Sequence, residues 1–173
     1  MSGDLGEASA ASGASASAGW RVRALGRAAA AAAAALIREA FAAQRVAADP
    51  PSSALRETAE SVAARLAEGG GAAIEAEGDL IGLVSWAERD EALYLGRLAV
   101  RPCWRGRGAA HVLLAAAEAE ARRRGLARLR LNVRLALEEN RRLFAALGFI
   151  ATNEAAHPGY ARSTFAVMEK RLA

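Results

Sequence analysis

Leu95-Gly96-Arg97-Leu98-Ala99-Val100-Arg101-Pro102, followed after Cys103-Trp104 by Arg105-Gly106-Arg107-Gly108-Ala109-Ala110, decides how the rest of the chain is read. The apolar run Ala92 to Val100 reads as a central strand, and Pro102 stops it because proline has no N–H to give to a ladder. Gly108 to Arg124 reads as a helix closed by Gly125. Val112, Leu113 and Leu114 lie on its inner side, while Glu118, Glu120 and Arg122 to Arg124 face water. Between the two lies a glycine turn flanked by Arg105 and Arg107. Glycine lets backbone N–H groups approach a ligand with no Cβ in the way. The first N–H groups of a helix have no internal partner, and the helix dipole adds partial positive charge there. Together these form an anion site suited to a pyrophosphate. A plain strand-to-helix connection without a ligand is the other reading of the same six residues.

Outward from this turn, the N-terminal side carries two helical patterns and then strands. Residues 1–19 are nearly all Ser, Ala and Gly and are expected to form a disordered tail, leaving 20–173 as one domain. Trp20 to Leu25 reads as a short strand. Ala28 to Arg45 is helical by propensity, with Leu36, Ile37 and Phe41 on its sticky face. Asp49-Pro50-Pro51 breaks it, and Ser52 or Ser53 is expected to cap a second helix reaching Glu68, with Leu55, Val62 and Leu66 on one side. Gly69 to Gly71 ends that helix. Ala72 to Glu77 and Leu80 to Ala87 flank Gly78-Asp79 as a hairpin, and Arg89-Asp90-Glu91 makes the next turn.

On the C-terminal side, Ala127 to Arg134 alternates Leu129, Leu131 and Val133 with Arg128, Arg130 and Arg134, the mark of a half-exposed strand. Glu138 to Leu147 is a short helix closed by Gly148. Strands begin at Phe149 and at Ser163. The order β-α-α-β-β-β-α-β-α-β-β implies an α/β (α+β mixed) fold, a mixed sheet with helices on both faces.

Composition narrows the function classes. Hydrophobic residues make up 53% of 173, but many are Ala, and aromatics are only 5%, so Leu, Val and Ile must carry the core. The single Cys103 excludes an intramolecular disulfide. With only His111 and His157 beside it, no metal site is expected. A reducing, cytoplasmic setting is the simplest expectation. Ala28 to Ile37 is apolar, but Arg27 and Arg38 bracket it too closely for a bilayer span. No membrane association and no secretory leader are expected. The net charge of +4 favours anionic partners. A Walker A loop needs Lys followed by Ser or Thr, which is absent. The dinucleotide fingerprint needs three glycines at other spacings, early in a βαβ unit.

The turn resembles motif A of the GNAT N-acetyltransferase superfamily, Gln/Arg-x-x-Gly-x-Gly/Ala, at Arg105, Gly108 and Ala110. The likeness extends from Trp20 to Leu172. Residues 95–102 look like the family's fourth strand. Glu139 to Phe149 looks like its motif B helix and the Gly-Phe that follows. His157-Pro158-Gly159-Tyr160 and Val167-Met168-Glu169-Lys170 look like the C-terminal signature of a small bacterial branch.

The resemblance implies a mostly antiparallel sheet splayed between its fourth and fifth strands, with acetyl-CoA entering the gap. It implies that the backbone of Leu98, Ala99 and Val100 holds the pantetheine. A main-chain amide near Val100 would polarise the thioester carbonyl, the amides from Arg107 to Ala110 would take the pyrophosphate, and Arg105, Gly106, Arg107, Gly108, Ala109 and Ala110 together would form the cofactor-binding turn. Asn140 and Phe144 would border the cofactor. The reaction implied is direct attack by a primary amine, with proton transfer but no covalent enzyme intermediate. Candidates for the base are Glu57, Glu60, Asp90, Glu91, His157 and water. His157 lies in the loop expected to border the acceptor and titrates in the useful range. The chain departs from the family pattern twice. Phe144 occupies the place where the family often has a Tyr proton donor, and Asn140 is shifted toward Gly148 relative to the common spacing. Tyr160 is the candidate substitute acid.

Two other readings compete with this one. Arg122 to Arg124, Arg128, Arg130, Arg134, Arg141 and Arg142 form a basic series that suits nucleic acid, but glutamates interleave it and no recognition motif is present, so no nucleic-acid partner is expected. The second is a GNAT-like module that binds acyl-CoA without catalysis. For the enzyme, the acceptor is a small-molecule or peptide amine. A homodimer through an exposed last strand is also expected from the resemblance.

Overall fold

The computed structural model describes residues 19–173; residues 1–18, most of the expected tail, lie outside the described residues. Its strands are β1 (Trp20–Ala24), β2 (Gly71–Ala76), β3 (Asp79–Arg89), β4 (Ala92–Val100), β5 (Arg128–Arg134), β6 (Ile150–Ala155) and β7 (Phe165–Arg171). The helices are α1 (Ala30–Ala42), α2 (Ala59–Glu68), α3 (Ala109–Arg123) and α4 (Glu138–Ala146). One sheet runs β1-β2-β3-β4-β5-β7-β6. Every pairing is antiparallel except β4 with β5, which is parallel.

Two apolar layers flank this sheet, as the alternating sequence pattern requires. On one face Leu36, Ile37 and the small Ala33, Ala34 and Ala40 of α1 meet Val62 and Leu66 of α2 over Ala73, Leu83 and Ala99. The alanines let α1 lie close to the strands. On the other face Leu113, Leu114, Ala117 and Ala121 of α3 cover Ile74, Ile81, Leu93 and Leu129. The sparse aromatics anchor the edges: Phe144 meets Phe149 edge-on at 5.7 Å, and Trp20 meets Trp104 at 6.3 Å. No helix among the described residues is long and apolar enough to cross a membrane.

A bulge in β4 positions the site. Val84 faces Leu98 and Trp86 faces Leu95, so Gly96 and Arg97 together oppose the single Ser85. An extra residue flips the side-chain phase and bends the strand. Accordingly Leu93 and Leu95 point into the α3 layer before the bulge, whereas after it Leu98 and Val100 do so and Ala99 turns to the α1 layer. β4 pairs with β5 only at Leu93↔Leu129 and Tyr94↔Arg130, then diverges. The divergence is the expected splay.

Three expectations need correction. The second helix is split. Ser52 accepts from the Ala54 N–H at 3.3 Å and caps only a 3-10 turn at Ser53–Arg56, and Glu57 is extended (φ −59°, ψ 137°). Thr58 then caps α2 through a reciprocal box with Ser61. The break turns the Glu57 side chain inward and leaves Leu55 42% exposed. The β2–β3 hairpin turns on Glu77-Gly78 rather than Gly78-Asp79; both central residues have positive φ, 53° and 86°. The last strand, β7, is interior, ordered between β5 and β6, so it offers no free edge for a two-fold pairing. The edge strands are β1 and β6.

Candidate active site

Where β4 leaves β5, its main-chain groups face open space. The Arg101 N–H donates to the Ile81 carbonyl at 2.8 Å. Alternation along the ladder therefore turns Ala99 toward β3, and the amides of Leu98 and Val100 toward the gap. A cavity of about 390 Å³ fills this gap. It is lined by Leu98 to Val100, by Arg105, Gly106, Gly108, Ala109 and Ala110 of the turn, and by Asn140 and Phe144 of α4, with Phe41 and Gln44 closing it from the end of α1.

The turn has the geometry its glycines suggest. Gly106 and Gly108 hold φ of 73° and 88°, values that other residues adopt only under strain, and an added Cβ would meet nothing within 4 Å at either position. Gly108 is the N-cap of α3 and has no side-chain cap. The first helical bond runs from the Val112 N–H to the Gly108 carbonyl, at 3.1 Å. The amides of Ala109, Ala110 and His111 thus have no partner inside the helix. The two expected arginines do different work. Arg105 donates to the Ala40 carbonyl at 2.7 Å and to that of Val100 at 3.3 Å, lashing the turn to α1 and to the end of β4. Arg107 does not line the cavity; its guanidinium stacks over Trp104 at 4.8 Å.

A second cavity, of about 230 Å³, lies on the β5 side. It shares Phe41, Gln44, Leu98, Asn140 and Phe144 with the first, so the two meet at Leu98, Asn140 and Phe144. Its remaining polar lining includes Arg97, Asn132, Arg134 and His157. His157 is fixed from two sides: its main-chain N–H donates to Thr164 Oγ1 at 2.9 Å, and its ring packs edge-on to Phe165 at 4.9 Å. Nδ1 lies 2.5 Å from Thr164 Oγ1 and 3.5 Å from an Arg134 nitrogen. Burial, and then the Arg134 charge, push the imidazole pKa below its ordinary 6.5.

The other acid–base candidates sit elsewhere. Tyr160 lines neither cavity; its hydroxyl donates to Asp49 at 2.6 Å, a bond that, with burial, raises its pKa. Glu57, 4% exposed, accepts from Arg65 at 2.7 Å, from Arg97 at 2.8 Å and from the Ser61 hydroxyl at 2.5 Å. Burial raises its pKa, but Ser61, Arg97 and Arg65 outweigh it and leave the pKa low, so this carboxylate is spent on structure. Asp90 pairs with Arg130 at 3.1 Å. Much of the basic series is likewise paired: Arg122 with Glu118, Arg123 and Arg124 with Glu120, Arg128 and Arg130 with Glu169, and Arg142 with Glu138. Among the described residues no three His, Cys, Asp or Glu side chains cluster as metal ligands.

The sequence did not single out Arg134, Asn132, Gln44, His111 or Phe41 as site residues. Arg134 and Asn132 share one face of β5 with Arg130. By alternation that face belongs to solvent, but the splay makes part of it a cavity wall. Phe41 lies in the last turn of a helix whose apolar stripe explained it as core, and Gln44 follows just after that helix.

The protein-family model described as "Acetyltransferase (GNAT) family" matches residues 34–149, more than half of the chain. No curated sequence matches significantly. Among solved structures, the PaiA N-acetyltransferase of Thermoplasma acidophilum in complex with coenzyme A superposes with TM-score 0.75 at 18% identity, covering 88% of this chain and 99% of that one. The ribosomal-protein-S18-alanine N-acetyltransferase of Escherichia coli gives 0.69 at 18%, covering 88% and 93%. A putative acetyltransferase, yncA, of Salmonella typhimurium with acetyl-CoA gives 0.66 at 21%, covering 90% and 95%. At these identities the shared property is the fold.

Proposed function

We propose that this chain, which belongs to the GNAT acetyltransferase family, transfers an acetyl group from acetyl-CoA to a primary amine. The observation that carries the reading is the juxtaposition of two cavities at Leu98, Asn140 and Phe144, one ending at the glycine turn and the other at His157. The residues present fit acetyl-CoA: unpaired amides at the start of α3 suit a pyrophosphate, and the Leu98 and Val100 amides that β4 turns into the gap suit an amide-bearing arm. Acetyl-CoA supplies an activated acyl group, and the acceptor amine is itself the nucleophile. The protein supplies position and charge.

The amides of Ala109 and Ala110, opened to the ligand by Gly106 and Gly108, bind the phosphates. Leu98 and Val100 present amides into the gap. Val100 is the one we assign to the carbonyl oxygen, where a fixed N–H is worth about 3 kcal/mol as negative charge develops. His157 takes the proton from the amine. It does so through Nε2, the ring nitrogen that the Thr164 Oγ1 and Arg134 contacts leave unengaged. Its lowered pKa keeps that nitrogen unprotonated at neutral pH. Phe144 cannot return a proton, and Tyr160 is held by Asp49, so solvent protonates the departing thiolate, whose ordinary pKa near ~8.5 makes little demand on an acid.

The test is a thiol-release screen of acetyl-CoA against an amine library, run with wild type and with Gly108→Trp. Turnover by wild type and loss of coenzyme A binding in the variant are expected. Coenzyme A binding that survives the tryptophan would remove the turn from the site, and a wild type that never binds coenzyme A would end the proposal.

A further inference from the structure

Resting on the transferase reading, we infer that the acceptor amine also carries a carboxylate, close to the amino group, and that Arg134 holds it. Among the described residues, the lining of the second cavity contains Arg97 and Arg134 and no aspartate or glutamate. An acceptor whose only charge is an ammonium would meet cations and no counter-ion there. A polyamine would fare worse, since each added positive charge faces the same field.

Arg97 has partners inside the protein. Its Nε donates to Glu57, and its Nη2 donates to Ser53 at 2.8 Å. Glu57, however, also neutralises Arg65, so the trio keeps one positive charge. Arg134 has no such partner. Among the described residues no carboxylate lies within 4.0 Å of it, whereas Arg128 and Arg130 beside it on β5 share Glu169. Its polar side-chain neighbour is His157 Nδ1, 3.5 Å away. Burial holds its pKa down, and of the other groups acting on it Tyr160 is a neutral phenol at physiological pH, Arg97 repels, and Asp49 attracts more weakly than Arg97 repels.

A partly buried guanidinium without an anion is costly, and a carboxylate is the planar group that matches its fork. Position adds to charge. Arg134 and His157 are neighbours, so a carboxylate on the first brings an amine on the same or the adjacent carbon within reach of the second. The cavity, about 230 Å³ with Phe41, Tyr94, Leu137 and Phe165 in its wall, leaves room for an apolar side chain. The acceptor class is therefore a small amino acid in its zwitterionic form, rather than a simple alkylamine, a polyamine or a peptide N-terminus, whose first carboxyl is tied up as an amide.

The experiment measures product binding, which needs no turnover. N-acetyl amino acids of varied side chain are titrated into the full-length protein with coenzyme A present, each beside its carboxamide and its decarboxylated counterpart. The expected result is that for at least one side chain the acid binds about tenfold or more tightly than both neutral partners, since a charge-assisted bond is lost in each. Arg134→Gln should abolish the difference, and Arg134→Lys should restore part of it. Equal binding of acid and amide for every side chain, or a preference that persists in Arg134→Gln with its melting temperature unchanged, would overturn the assignment. The parallel turnover assay separates the two claims: faster acetylation of the amides than of the acids sinks this inference and leaves the transferase standing, whereas no thiol release from any amine counts against the transferase, and the binding comparison still decides the role of Arg134.

Discussion

The main-chain amide of Arg97 donates to the Ser85 hydroxyl at 3.2 Å, at the point where two residues of β4 oppose one of β3. Ser85 is 3% exposed, so its hydroxyl satisfies an amide that the bulge would otherwise orphan. Ser85→Ala should cost about 1–2 kcal/mol for the unpaired N–H, or roughly 3–6 °C in melting temperature. Because the bulge aims β4 away from β5, coenzyme A affinity should fall as well. Thermal melting and a binding titration check both. A variant with unchanged melting and unchanged affinity would mean that the splay does not depend on this bond.

Glu57 gives a second prediction, because one buried carboxylate serves Arg65, Arg97 and Ser61. Glu57→Gln leaves Arg97 without its counter-charge. Arg65, 30% exposed, is partly compensated by water, so a loss of about 2 kcal/mol at neutral pH is expected. The folded pKa lies below the ordinary 4.5, so this contribution is complete above 4.5 and fades as pH falls through the lower folded value. Denaturant unfolding of wild type and variant at about pH 7 and about pH 3 should therefore show the gap closing in acid. A constant gap would assign the loss to shape rather than to charge.

Much of the architecture was legible because local and global signals agree. The apolar run of β4, the proline after it and the glycines before α3 each favour the same strand–turn–helix. The parts that were not legible depend on long-range partners. Nothing local in residues 52–68 says that Glu57 must turn inward, since Arg97 lies 40 residues away. The segment carries two caps, Ser52 and Thr58, where its helical pattern calls for one. The interior place of β7 likewise follows from pairing, which a strand pattern alone does not specify. At the site, the glycine turn was readable from its own residues as an anion site, whereas a cofactor role for the edge of β4 came only with the family resemblance. Arg134 was not legible, because alternation marks its side of β5 as outward and only the splay makes that side a wall.

The turn glycines should separate ligand binding from folding. An added Cβ at Gly106 or Gly108 meets open space, so the cost to the fold is confined to the positive φ, roughly 1–2 kcal/mol. Relief of that strain rotates the peptide units that present the Ala109 and Ala110 amides. Gly106→Ala and Gly108→Ala should therefore remain folded yet bind coenzyme A about tenfold or more weakly, while pantetheine and adenosine fragments lacking the pyrophosphate are affected little. Equal losses for fragments with and without the pyrophosphate would move the phosphates away from this turn.

The imidazole of His157 supplies the last prediction. Only two histidines are present, so His111→Asn leaves a single ring to follow by NMR titration. Burial and Arg134 both disfavour its charged form, and it should titrate below 6.5. Replacing Arg134 with Gln removes the repulsion but not the burial, so the midpoint should rise toward 6.5 without passing it. The unfolded chain binds the proton more readily than the fold does, so His157 lowers stability as pH falls through 6.5 and has no such effect above it. If His157 is the base, the acidic limb of the acetylation rate follows the same midpoint, and it moves up with Arg134→Gln. A rate profile that stays in place while the NMR midpoint moves would leave His157 in the wall of the cavity and give the proton to water.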